Sequence, residues 1–154
     1  MIKHAAHYLL TDSGLLLKNG IAAADNNGTF RFIATREELI EIEQLIFHSG
    51  LMISAFEFIK EDNLSTSTGT KDLHPLFYPI INKDHLSIKE VIELARELQH
   101  VFPEMNIPDL LQKIEQVLLS NGFVKKTVPA LYLLSGLDLQ TLRFTERTKV
   151  KKVG

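Results

Sequence analysis

The chain contains no cysteine. Disulfides, thiolate-bound metals and cysteine nucleophiles are thereby excluded, and a reducing compartment suits the sequence. Long apolar runs are missing as well. No stretch approaches the roughly 18 residues that a membrane-spanning helix requires. Met1 to Leu10 carries His4 and His7 within its apolar stretch, which predicts a first strand rather than a secretory leader. Nor does charge of one sign dominate. The formal net charge is -2 with both signs interspersed, so no basic face is offered to a nucleic acid. The short basic tail Lys149, Lys151 and Lys152 reads as a solvated last strand. These absences lead to the expectation of a soluble, cytoplasmic protein with neither a nucleic-acid nor a membrane partner.

Several catalytic signatures are also absent. No glycine-rich phosphate loop opens a helix. Ser135-Gly136 stands outside any Gly-x-Ser-x-Gly turn. Asp25-Asn26-Asn27-Gly28 lacks the alternating carboxylates of a calcium loop. Glu37, Glu38, Glu41 and Glu43 crowd one short stretch, where a solvated helix face is the simpler reading than an acid/base pair.

What is present suits one globular domain. Hydrophobic residues make up 45% of 154, enough for a core and too many for a disordered chain. Strands are predicted at Ala5–Leu10, Leu15–Leu17, Ile21–Ala24 and Thr29–Ala34. The turn signals between them are Thr11-Asp12-Ser13-Gly14, Lys18-Asn19-Gly20 and Asp25-Asn26-Asn27-Gly28. Thr35 and Glu38 form a capping box for a short helix reaching about Gln44. Leu45–His48 and Leu51–Phe56, split by Ser49-Gly50, predict a strand pair or one bent strand. Glu57 to Lys71 is polar, and Ser65 to Thr70 is a low-complexity loop. Leu73–Ile81, with Pro75 and Pro79, predicts no regular helix and at most an edge strand.

A second capping box, Ser87 with Glu90, opens a helix whose apolar face is Ile88, Val91, Ile92, Ala95 and Leu98. After Pro103, Asn106 caps a second helix with the stripe Leu110, Leu111, Ile114, Val117 and Leu118, closed by Asn121-Gly122. Strands are then predicted at Ala130–Leu134, Gln140–Phe144 and Thr148–Val153. The fold class expected is α+β: a β-sandwich-like composite of N- and C-terminal strands with a helical hairpin from the middle of the chain. As one domain it divides into N-terminal strands (1–56), an irregular region (57–85), two helices (86–122) and C-terminal strands (123–154).

Certain residues at both ends carry a resemblance. His7-Tyr8-Leu9-Leu10, then Leu17-Lys18-Asn19-Gly20-Ile21, Ala24 to Thr29 and Phe47 to Phe56 follow one another in order. Later come Leu98 to Glu104, Leu110-Leu111, then Gly122, Lys125, Lys126 and Pro129, and finally Leu133 to Val153. Together these segments resemble the small composite β domain that brackets the catalytic barrel of the amidohydrolase superfamily, in its chlorohydrolase- and deaminase-like members. The resemblance implies a metal-dependent hydrolase ancestry. In that family the strand similar to Leu51–Phe56 carries Pro-Gly and leads into His-x-His, where two imidazoles on one strand face grip a metal that activates water. Here Ser54-Ala55 and then Phe56-Glu57-Phe58-Ile59-Lys60 stand instead, and the interval before the C-terminal strands is too short for a barrel.

The expectation is thus a non-catalytic, amidohydrolase-like protein with no catalytic, cofactor or metal residues, acting as an oligomerising or interaction module. The alternative is a hydrolase of C–N bonds, or a small-molecule binder, with a relocated metal site at His74, His85, Asp72 and Asp84. On a strand His4 and His7 face opposite sides, and His48 and His100 have no partner nearby in sequence. The apolar segment Leu73–Ile81 either covers the surface that a barrel would have covered or forms a patch that a second subunit buries.

Overall fold

The computed structural model describes residues 2–25, 27–34, 45–61 and 73–154. The predicted capping box at Thr35 and the whole low-complexity loop lie outside them. Among the described residues are β1 (Lys3–Leu10), β2 (Leu16–Lys18), β3 (Gly20–Ala24), β4 (Phe30–Ala34) and β5 (Leu45–Lys60). A one-turn helix α1 (Tyr78–Ile81), β6 (His85–Leu86), α2 (Ile88–Val101), α3 (Ile107–Ser120), β7 (Phe123–Ser135) and β8 (Lys149–Lys152) follow. The fold is α+β with one mixed sheet in the order β4-β3-β1-β5-β7-β8, β2 pairing with β1 and β6 with β5. The chain forms two compact units, Met1–Ala55 with Val128–Gly154, and Phe56–Thr127.

In the first unit each turn has its own polar device. The Thr11 hydroxyl accepts from Leu15 N at 3.1 Å. Asn19 takes a positive φ of 53° and donates its N–H to His7 O. The Asp25 carboxylate accepts from Asn27 N at 2.8 Å and Thr29 N at 3.0 Å, fixing the β3–β4 hairpin. The core packs Ala6, Leu9, Ala22, Met52, Leu131 and Leu133, with Leu17, Phe30, Phe32 and Val153 against it. N-terminal and C-terminal strands therefore share one core. Full burial of each large aliphatic there is worth about 1.5–3 kcal/mol.

The central pair, β1 with β5, is parallel, and its register slips between Ala6↔His48 and Tyr8↔Leu51. One residue of β1, His7, thus faces two of β5, Ser49 and Gly50, which is a β-bulge. Gly50 makes it feasible. Its φ is 138°, and a Cβ there would fall 2.2 Å from the Leu134 carbonyl oxygen. The two predicted segments around Ser49-Gly50 are consequently one strand, bent at that glycine.

The second unit is a helical hairpin with the end of β5 from Phe56 onward, β6 and the start of β7. Ser87 and Glu90 complete the predicted capping box, and Asn106 Oδ1 accepts from Asp109 N at 2.9 Å. The buried faces are Ile88, Val91, Ile92, Leu94, Ala95 and Leu98 on α2, and Ile107, Leu110, Leu111, Ile114 and Leu118 on α3. Two strand expectations fail. Pro75–Phe77 is a 3-10 turn that runs into α1, because Pro75 and Pro79 both sit where a helical first turn needs no N–H. Gln140–Phe144 is not a strand but a turn, since the Asp138 carboxylate accepts from Gln140 N and Thr141 N and curls the chain back to an Asp138↔Arg143 bridge.

Candidate functional site

The residues considered for a relocated metal site have separate local roles. His74 caps the 3-10 turn, its Nδ1 accepting from Leu76 N at 3.1 Å. His85 Nε2 lies 2.8 Å from Glu57 Oε2 across the β5–β6 pair. Asp84 presents its backbone carbonyl to Lys60 N at 2.8 Å. Asp72 is outside the described residues. Among the described residues no three His, Asp or Glu side chains come together as a metal-binding group. Two other residues of the resemblance also have local work. Lys125 bonds Glu115 at 2.7 Å and lies 4.7 Å from the centre of the Phe56 ring, while Gly122 turns the chain at a φ of 89°.

A different pair of histidines meets. His4 Nδ1 and His48 Nε2 are 3.0 Å apart, one ring donating to the other, and the rings stack with centroids 5.2 Å apart. Their strands explain the meeting. In the β1–β5 register His4 opposes Ile46 and Ala6 opposes His48, so both rings project from the same face of adjacent strands. His4 is only 8% exposed. Burial pushes its pKa below the ordinary histidine value. The His48 pKa is lowered too, first by burial, then by His4 and by the Lys151 ammonium. Both rings are therefore uncharged near neutral pH.

His7 points the other way, as the strand alternation requires. Its Nδ1 accepts from Gly50 N at 3.2 Å, and its ring meets Phe47 edge-on with centroids 5.0 Å apart. The expected opposition of His4 and His7 holds. The His4–His48 meeting had no signal in the sequence, because nothing local specifies which distant strand lies parallel to β1 or in which register.

On the His7 face, register places Ile33, Ile21, Ala5 and Phe47 in one row across β4, β3, β1 and β5. The inner two are buried, whereas Ile33 is 45% and Phe47 51% exposed. In the second unit Leu73, Phe77 and Ile81 of the Leu73–Ile81 segment turn inward and are buried, whereas Tyr78 is exposed. An open hollow of about 400 Å³ is lined by Gly136, Thr145, Glu146 and Arg147. No helix among the described residues is long and apolar enough to cross a membrane.

Comparison with protein-family models, with curated proteins and with solved structures gives no match.

Proposed function

We propose that this protein is a non-catalytic association module, an amidohydrolase-like composite β framework without the metal-bearing barrel, that works by self-association through its first unit. The observation that carries this reading is the Ile33–Ile21–Ala5–Phe47 row, whose two ends expose large apolar side chains on one sheet face. Large apolar groups left on one face of a soluble domain commonly mark a surface that a partner covers. The order of framework segments at both chain ends supports the kinship. The substitution of Glu57 and Ile59 where the family carries His-x-His supports the loss of its chemistry. The inward turn of Leu73, Phe77 and Ile81 shifts the proposed contact from that segment to the Phe47 face.

Sedimentation velocity over a range of protein concentrations tests this. The wild-type chain should sediment as a concentration-dependent dimer. Phe47→Asp should sediment as a monomer with an unchanged far-ultraviolet dichroism spectrum. A wild-type protein that stays monomeric at every concentration, or a Phe47→Asp variant that still dimerises, refutes the reading.

A further inference from the structure

We propose that the His4–His48 pair is a transition-metal site, taking one zinc-class divalent ion between His4 Nδ1 and His48 Nε2 and leaving its other coordination positions open to water or an outside donor. The geometry is nearly that of a two-imidazole grip. The two nitrogens already face each other at 3.0 Å. Zinc–nitrogen bonds of about 2.0–2.1 Å at a tetrahedral angle ask for roughly 3.3 Å, so a few tenths of an ångström of opening suffices. The rings stand on neighbouring strands whose pairing is continuous from Lys3↔Leu45 to Ala6↔His48, which fixes their spacing before any ion arrives.

The protonation state is also right. Imidazole binds a metal only when neutral, and burial already disfavours the charged form of both rings. At present one ring holds the N–H shared by the pair. On metal binding that ring carries its proton on its other nitrogen instead, so both facing lone pairs are free and no net charge is moved. His48, half-buried beside exposed Ile46 on the same face, leaves a route from solvent. Imidazole donors suit zinc, copper and nickel rather than magnesium or calcium.

The surrounding charges set the strength. Ala22, opposite His4 on β3, contributes none. From β8 the Lys151 ammonium acts on His48, and it opposes a bound cation as it opposes a bound proton. His7 cannot complete the site, since it projects from the opposite face and its Nδ1 accepts from Gly50 N. The site therefore has two protein ligands and moderate affinity, and Lys151 holds it below its attainable strength.

Calorimetric titration of zinc chloride into chelator-treated full-length protein, with thermal unfolding followed in parallel, tests the assignment. The wild type should take up one zinc per chain and unfold at a higher temperature with it. His48→Gln should lose both effects, His74→Gln/His85→Gln should keep them, and Lys151→Gln should bind zinc more tightly. His4 is buried, so His4→Gln is a secondary variant, and half-buried His48 carries the test. Wild-type protein that takes up no zinc, uptake that His48→Gln leaves unchanged, or uptake that is lost in His74→Gln/His85→Gln overturns the proposal.

Discussion

Replacing Gly50 with alanine should cost far more than replacing any glycine in an open turn, and the structure gives the size of the difference. Gly50 sits at a φ of 138°, where a side chain is strained at a cost of about 1–3 kcal/mol. The added Cβ would also fall 2.2 Å from the Leu134 carbonyl oxygen, more than an ångström inside van der Waals contact. That neighbour is backbone in β7 and has no rotamer to change. Relief requires moving the strands apart and forfeiting inter-strand hydrogen bonding, about 1–3 kcal/mol where the carbonyl is left buried and unpaired. The sum is about 2–6 kcal/mol, a large share of the 5–15 kcal/mol typical of a folded domain. Gly28 is the control. Its φ is 81° and a Cβ there meets nothing within 4 Å, so Gly28→Ala should cost only backbone strain, about 1 kcal/mol. Urea unfolding of the three proteins, monitored by circular dichroism, measures this directly. Should Gly50→Ala fall within about 1 kcal/mol of Gly28→Ala, the bulge is not the constraint described.

Two further outcomes are expected. Ser87→Ala removes the hydroxyl that accepts from Glu90 N and half of a reciprocal cap, and should lower stability by about 1 kcal/mol in the same urea assay. The His4–His48 pair should make metal-free protein sensitive to mild acid. Both rings have folded-state pKa values below the ordinary 6.5, so the unfolded chain binds protons first as pH falls. Their contribution is then complete above about pH 6.5 and is lost as pH drops from there through the folded-state values. The urea midpoint should decline between pH 7.5 and 5 more steeply in wild type than in His4→Gln/His48→Gln, and equal slopes would count against the pairing.

The helical hairpin was legible because both of its signals are local. Ser87 with Glu90 and Asn106 with Pro108 mark the starts, and the 3.6-residue spacing of Ile88 to Leu98 and of Leu110 to Leu118 marks the faces. The early strands were legible for the same reason, each turn having its own Asn, Asp or Gly. Leu73–Ile81 is not legible as helix because Pro75 and Pro79 read as helix breakers, although each occupies a first-turn position where proline is tolerated. Gln140–Phe144 reads as a strand, yet two backbone bonds to the Asp138 carboxylate make it a turn. Least legible was the candidate site. His4 and His48 meet only because two distant strands run parallel in one register, and that register is set by pairings such as Lys3↔Leu45 and Ala6↔His48, which no short window of sequence encodes.

The sharing of one core by Ala6, Leu9 and Ala22 with Leu131 and Leu133 has a consequence for biosynthesis. A ribosome releases β1 to β4 long before β7, so those strands wait with the part of their hydrophobic cover that Leu131 and Leu133 supply still untranslated. The α2–α3 hairpin, built from neighbours in sequence, needs no such delay and can condense while the chain is still growing. Nascent strands left open for that interval are where a chaperone would first bind.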